Sequence, residues 1–234
     1  METMPDSLGG RLREVRTKRG LSLRSVAQSL GVSASLISQV EIGKTQPSVA
    51  TLYALASHLG VSIDELMGIA QPGPKPAASL FGHSGPALPD VQRATENPRI
   101  EMENGVLWER LAAGTGGPAD ALLVTYAPGA SSSIEGKLMR HAGVEYAYLL
   151  EGELTLHLDF ETYVLRPGDS LQFDSVRPHL YSNRSSEVAK GVWFVVGRRQ
   201  QNESLRDAPG ADAVAGRAPS SAVDVLRAMD DLEA

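Results

Sequence analysis

Cysteine is absent from all 234 residues of the chain. This absence excludes disulfide bonds, thiolate-ligated zinc sites and thiol nucleophiles. No apolar run approaches the roughly 18 residues that a membrane helix needs. The N-terminus also lacks the basic stretch and hydrophobic core that mark a secretory leader. We therefore expect a cytoplasmic protein that does not span a membrane.

The chain has fewer cations than anions, and its net charge is -6. The negative charge is distributed unevenly along the chain. Residues 1–70 hold seven cationic and six anionic side chains, so the excess of anionic side chains lies in the remainder. Six of these cations crowd the first two predicted helices, at Arg11, Arg13, Arg16, Lys18, Arg19 and Arg24. The N-terminal part therefore keeps a basic face suited to nucleic acid.

Residues 20–45 predict two short helices that meet at a tight turn. The first helix has apolar residues at helical spacing and ends at Gly31, where a left-handed backbone is favoured. The second helix begins at Ser33, a good N-cap. Ile37 and Val40 form its inner face, while small polar residues on the opposite face can approach base edges. This pattern is a helix-turn-helix with a recognition helix.

Three further helices flank this pair. The first runs from about residue 7 to residue 19, and the fourth opens at Pro47-Ser48 and closes at Gly60. The fifth begins at Ser62, with Glu65 three residues on as a capping box. The sequence therefore predicts a bundle of five short helices.

With Gln39-Val40-Glu41 followed by Gly43-Lys44-Thr45, residues 7–69 resemble the Cro/C1-type (XRE family) DNA-binding domains. The resemblance implies an ion pair between Arg16 and Glu41 that holds the recognition helix. Phosphate contacts are expected from the basic first helix, Arg24 and the Lys44-Thr45 loop, and base contacts from the recognition helix. The expected DNA-binding residues are Arg24, Ser33, Ala34, Ser35, Ser38, Gln39, Lys44 and Thr45.

Composition changes after the bundle. Residues 70–90 are rich in Pro, Gly, Ala and Ser, which predicts an extended linker. Residues 91–198 alternate with period two and have turn residues roughly every 8–12 positions, as in a sandwich or barrel of short antiparallel strands. Residues 199–234 predict a flexible tail with a short amphipathic helix.

A second constellation lies in the predicted strands: His141, Glu145 and Gly152, a Pro167-Gly168-Asp169 turn, and then His179. Its spacing resembles the cupin family, which implies an all-β double-stranded β-helix (jelly-roll) barrel. The family pattern begins with a further histidine, which here is Met139. The resemblance places Met139, His141 and Glu145 on the barrel interior, with His141, Glu145 and His179 as the candidate metal ligands.

Two histidines and a carboxylate suit non-haem Fe(II) and also suffice for zinc or nickel. The alternative is a metal-free polar patch that hydrogen-bonds an effector. The residues expected to contact an effector are His141, Glu145, Arg177, His179, Tyr181 and Trp193. No catalytic residue is assigned.

Three functions fit this two-domain chain. The favoured one is a transcriptional regulator whose barrel senses a small molecule, acting as a homodimer on two DNA half-sites about 34 Å apart. The second is an iron enzyme, since the build also resembles the iron-dependent epoxidase of fosfomycin biosynthesis. The third is a DNA-binding protein whose barrel only dimerises. The intact recognition helix and the lack of a further catalytic acid or base favour the regulator.

Overall fold

The computed structural model describes residues 7–69, 91–112, 119–134 and 136–197. The predicted linker over residues 70–90 and the predicted tail over residues 199–234 lie outside these ranges. All described residues belong to one compact unit. None of the helices in the described ranges is both long enough and apolar enough to cross a membrane.

The N-terminal part is the predicted bundle of five helices. Each helix begins after a serine whose hydroxyl oxygen accepts a hydrogen bond from the backbone N–H three residues later, which caps an otherwise unpaired donor. The predicted capping box at Ser62 and Glu65 is present. The helices are α1 (Leu8–Lys18), α2 (Leu23–Leu30), α3 (Ala34–Glu41), α4 (Val49–His58) and α5 (Ile63–Met67).

Contacts of one buried and one half-buried arginine tie the bundle together. The Arg16 guanidinium donates from Nε to Glu41 Oε1 at 2.6 Å and from Nη2 to Glu41 Oε2 at 2.8 Å, which confirms the ion pair implied by the family resemblance. Arg11 Nη1 donates to the Leu66 carbonyl at 2.9 Å, joining α1 to α5. A Cβ at Gly9 would lie 2.2 Å from the Val40 carbonyl oxygen, so the close approach of α1 and α3 requires glycine there.

The C-terminal part is an antiparallel β barrel of two sheets, and the predicted fold class is confirmed. One sheet has six strands in the order β1-β2-β3-β9-β4-β7, and the other has three in the order β6-β5-β8. The strands are β1 (Arg99–Glu101), β2 (Val106–Arg110), β3 (Ala119–Tyr126), β4 (Val144–Glu151), β5 (Leu154–Leu158), β6 (Glu161–Leu165), β7 (Ser170–Asp174), β8 (His179–Ser182) and β9 (Ala189–Val196).

Strand β4 shows the alternation that the sequence predicts. Glu145, Ala147 and Leu149 are buried, while Tyr146 and Tyr148 are exposed on the opposite face. The strand ends at Glu151, and Gly152 follows it with φ 73° and no room for a Cβ. The β4 interior therefore carries a carboxylate into the barrel.

The bundle docks directly on the barrel. Buried apolar residues of both parts form one continuous cluster. The Ala50 N–H of α4 donates to the Ser132 carbonyl at 3.1 Å, and the Glu103 N–H donates to the Pro47 carbonyl at 3.0 Å. A buried ion pair joins Arg110 Nε of β2 to Asp64 Oδ1 of α5 at 2.7 Å. The start of α4 therefore lies against the barrel.

Candidate functional site

The recognition helix α3 presents a polar face to solvent. Ile37 and Val40 are buried, whereas Ser35 and Gln39 are exposed and Ala34 and Ser38 are half-buried. The N-cap hydroxyl of Ser33 accepts a hydrogen bond from Leu36 N at 3.1 Å, which fixes the start of the helix. The face predicted for base contact is therefore the accessible one.

The turn after α3 lies beside the end of the helix. Thr45 Oγ1 donates to Gln39 Oε1 at 3.3 Å, and Gln39 Nε2 donates to Ser35 Oγ at 3.4 Å. The Lys44 N–H donates to the Gln39 carbonyl at 2.9 Å, while the Lys44 residue itself is exposed. Arg24 is likewise exposed, in the first turn of α2. The structure thus brings Ser35, Gln39 and Thr45 together in a polar network next to an exposed cation.

Inside the barrel, the three predicted metal ligands converge. Glu145 Oε1 lies 2.8 Å from His141 Nε2 and 3.1 Å from His179 Nε2. All three side chains are buried. They are the single cluster of possible metal ligands found among the described residues. We refer to His141, Glu145 and His179 as the His-Glu-His cluster.

The contacts of the two Nδ1 atoms define the tautomer of both histidines. His141 Nδ1 lies 3.2 Å from the Ala142 carbonyl, and His179 Nδ1 lies 2.8 Å from the Arg177 carbonyl. Because a carbonyl only accepts, each Nδ1 carries the proton. In a neutral ring, Nε2 then holds a lone pair that faces the carboxylate. Three electron-rich atoms thus converge in a buried space, and a cation or added protons must compensate them.

The geometry of the cluster is compatible with a bound metal ion. Despite the short separations, neither Nε2 atom nor Glu145 Oε1 makes a hydrogen bond of acceptable direction. Ligands at about 2.1 Å from a metal and at right angles to each other lie roughly 3.0 Å apart, close to the two separations seen here. Backbone carbonyls on the outer ring nitrogens are the usual supports of metal-bound histidines. The cluster therefore has the donor set and supports of a divalent metal site with open positions.

The second oxygen of Glu145 is held by Tyr181, whose hydroxyl donates to Oε2 at 2.9 Å. Burial alone would raise the pKa of the Glu145 carboxyl, but the neighbouring His141 and His179 side chains lower it below its ordinary range. Burial and the negative charge of Glu145 raise the pKa of the Tyr181 phenol well above its ordinary value. Glu145 is therefore an ionised acceptor and Tyr181 a protonated donor.

Glu145 of the His-Glu-His cluster lines a small cavity with apolar and aromatic walls. Tyr181 and Trp193, which the sequence predicts as effector contacts, line this cavity, and so does Met139. The Arg177 side chain does not, because it pairs with Asp159 at 2.7 Å in an exposed position. Among the predicted barrel residues, His141, His179 and Tyr181 thus all contact Glu145.

Sequence reasoning missed that the bundle also lines this cavity. Val49 and Tyr53 of α4 form part of its wall, together with Trp108 of β2. The Tyr53 ring stacks on the His141 imidazole, with centroids 4.2 Å apart and planes 16° apart. It also meets Trp108 edge-on at 5.3 Å. The DNA-binding part therefore touches the His-Glu-His cluster directly.

Comparisons with known proteins support both the helix-turn-helix bundle and the cupin barrel. A helix-turn-helix family model matches residues 12–66, and a cupin-domain model matches residues 122–195. The HTH-type transcriptional regulator PuuR of Escherichia coli (strain K12) is 31% identical over 186 residues, which cover 78% of this chain and 90% of PuuR. The HTH-type transcriptional regulator SutR of the same strain is 25% identical over 188 residues, which cover 80% of this chain and 93% of SutR.

A solved structure shows the same fold. The HTH_3 family transcriptional regulator from Vibrio cholerae aligns with a TM-score of 0.55 at 23% identity, covering 82% of this chain and 95% of that one. The two relatives from Escherichia coli are regulators, so the prediction of a DNA-binding transcriptional regulator is confirmed.

Proposed function

Because the chain belongs to the HTH-type transcriptional regulators that join a helix-turn-helix to a cupin domain, we propose that it binds its operator through α3 and responds to a small molecule in the barrel. The observation that carries the second half is the buried His-Glu-His cluster beside a helix of the DNA-binding bundle. The barrel residues proposed to contact the effector are His141, Glu145, His179, Tyr181 and Trp193.

On DNA, the exposed face of α3 enters the major groove. Gln39 and Ser35 reach base edges, because they lie on the accessible face and their amide and hydroxyl groups suit base recognition. Arg24 and Lys44 contact phosphates, which fixes the register but carries no sequence information. The basic face of the bundle supplies the attraction that the acidic remainder of the chain does not.

Two substitutions separate these roles. Gln39→Ala should cost about 1–3 kcal/mol of operator affinity and relax specificity at one base pair. Lys44→Ala should weaken binding to all sequences alike and reduce the slope of log affinity against log salt by about 1. Fluorescence anisotropy with the DNA upstream of the gene that encodes this protein, measured over a series of salt concentrations, gives both effects.

Arg166→Ala is the matched control, because it removes an exposed cation from the barrel instead of the bundle. It should leave operator affinity and the salt slope unchanged. If Gln39→Ala bound the operator and unrelated DNA with wild-type affinities, the proposed reading face would be wrong.

The same DNA argument leads to a homodimer. One bundle of this size buries too little surface for strong operator affinity, so two copies on two half-sites are required. The outer face of the six-stranded sheet suits the contact, because β4 and β9 expose Tyr146, Tyr148, Leu150 and Phe194, each 44–47% accessible. An apolar patch of this kind on a soluble chain marks an interaction surface. The anisotropy titration should accordingly saturate at two chains per operator.

In the barrel, we propose that His141, Glu145 and His179 hold a divalent metal, with iron, zinc and nickel as candidates. When bound, the ion would supply a Lewis-acidic centre for a donor group of the effector. The chain's own residues prepare the site: the Ala142 and Arg177 carbonyls hold the imidazole rings, and Tyr181 holds the carboxylate. Apolar and aromatic side chains surround the space beside Glu145.

Metal analysis tests this proposal. Wild-type protein should bind one equivalent of metal, and His179→Ala should lower the affinity by more than about a hundredfold, since the loss of a supporting residue alone costs about 10–100-fold. Tyr181→Phe, which removes only the hydrogen bond to Glu145, should fall within that 10–100-fold range. Competition with a chromophoric chelator gives these affinities.

The control for these variants is His157→Ala. His157 is half-buried on β5 and contacts Thr162 and Arg184 instead of the cluster. The His157→Ala variant should bind metal with the affinity of the wild type. Wild-type protein that bound less than a tenth of an equivalent of each of the three metals would favour the metal-free polar patch.

A further inference from the structure

The cavity beside the His-Glu-His cluster has one wall that does not belong to the barrel. Tyr53 lies flat on His141, and Val49 lines the same space one turn earlier on α4. Both side chains are buried, with 4% and 2% of their surface accessible. Residues of the DNA-binding bundle therefore form part of the wall around the proposed effector site.

The space that this wall leaves is too small for an organic molecule. The cavity volume is about 20 Å³, which is enough for a single water. Small-molecule sites usually measure about 300–1,000 Å³. An organic effector can therefore reach the cluster only if some of the lining side chains move away.

The walls differ in how easily they can move. Most of the barrel wall consists of strands with neighbours on both sides, and β9 pairs with β3 over eight residues. The exception is β8, which carries Tyr181 and is an edge strand paired with β5 over four residues. The contacts that hold the α4 wall to the barrel include the two backbone hydrogen bonds of Ala50 and Glu103 and side-chain packing, and the ion pair of Arg110 with Asp64 on α5 also joins the bundle to the barrel. Displacement of α4 leaves the strand ladders of the barrel intact, whereas an opening through the sheet breaks one of them, so the bundle side is the one that yields.

We propose that Tyr53 is the gate of the barrel and that an effector enters by displacing Tyr53 and undocking α4. This inference rests on the proposed binding of an effector in the barrel, and it names the contact through which occupancy reaches the DNA-binding bundle. The ligand is a small molecule with a carboxylate, hydroxyl or amine group for the His-Glu-His cluster. Its apolar part replaces the Tyr53 ring against Trp108.

The first test needs neither metal nor effector. The amides of Ala50 and Glu103 report docking, because each donates its hydrogen bond across the junction. Hydrogen exchange by NMR on the full chain should be at least tenfold faster at both amides in Tyr53→Ala than in Tyr53→Phe, which keeps the ring. The amides of Val26 and Asn183, bonded within the bundle and within the barrel, should keep equal rates in the two variants.

The second test uses imidazole as the probe on cobalt-loaded protein. Imidazole has five heavy atoms, so it exceeds the space left beside the cluster, and its nitrogen is a metal ligand. The ligand-field absorbance of cobalt should show imidazole binding at least tenfold tighter to Tyr53→Ala than to Tyr53→Phe. If Tyr53→Ala does not fold, Val49→Ala trims the same wall and should shift both measurements several-fold in the same direction.

The outcomes separate the gate from the proposed function. Equal exchange rates in the alanine and phenylalanine variants, or equal imidazole affinities on cobalt-loaded protein, would overturn the gate. If cobalt does not bind at all, the metal proposal fails, and the exchange rates alone decide on the gate. If the wild type does not bind its operator, the proposed DNA contacts fail, and both measurements of the gate still stand.

Discussion

Arg110→Ala is expected to lower the free energy of unfolding by about 3–5 kcal/mol, because it leaves a buried carboxylate without its guanidinium. The side chains of Arg110 and Asp64 are 4% and 1% accessible, and their contact is the ion pair between barrel and bundle. Loss of this contact should also divide one thermal transition into two, since each part then unfolds separately. Chemical and thermal denaturation followed by circular dichroism measure both effects.

A second arginine on the same sheet provides the control. Arg99 pairs with Glu109 at 2.8 Å, but its side chain is 58% accessible. Arg99→Ala should therefore cost no more than about 1 kcal/mol. A loss for Arg110→Ala as small as that for Arg99→Ala would show that the buried pair does not join the two parts.

The other large effect concerns the recognition helix. Arg16→Ala and Glu41→Ala should each cost about 3–5 kcal/mol, because the pair is buried and bidentate. The double variant should be less destabilised than the sum of the two, by about 1–3 kcal/mol of coupling energy. Operator affinity should fall in all three variants, because α3 loses its attachment to α1. Urea denaturation and anisotropy with the same operator give the two quantities.

The exposed pair of Lys18 and Glu14 on α1 is the control, because it has the charges of the Arg16–Glu41 pair without its burial. Lys18→Ala should change the free energy of unfolding by less than about 0.5 kcal/mol. Additive losses in the double variant of Arg16 and Glu41 would mean that the two residues stabilise the bundle independently. In that case the ion pair would not position the recognition helix.

Local signals made much of the fold predictable. Helix ends depend on residues within one turn of the chain, so the sequence alone locates the five helices. The signals are a serine N-cap at each helix start, Gly31 at the end of α2 and the capping box at Ser62. Alternation along β4 likewise places Glu145 on one face of the strand, and the resemblance to the cupin family identifies that face as the interior. The His-Glu-His cluster followed from the spacing of a family resemblance, and the structure brings those three residues together.

The junction between the two parts was not predictable in the same way. Arg110 and Asp64 are 46 residues apart in a chain with many charges, and only the tertiary fold selects this pair. Helix α4 carries one apolar stripe that includes Leu52 and Leu55, and Val49 and Tyr53 form a second. Two apolar faces on one helix indicate two partners, but sequence does not name the second partner.

Three arginine contacts determine how the bundle can move. Arg16 ties α1 to α3 and Arg11 ties α1 to α5, while Arg110 ties α5 to the barrel. A helix held in this way turns with its neighbours as a rigid body. Over a bundle roughly 20 Å across, a tilt of about 10° displaces the far side by about 3.5 Å, which is close to the rise of one base pair. A small rotation at the barrel is therefore enough to shift α3 out of register along the DNA groove.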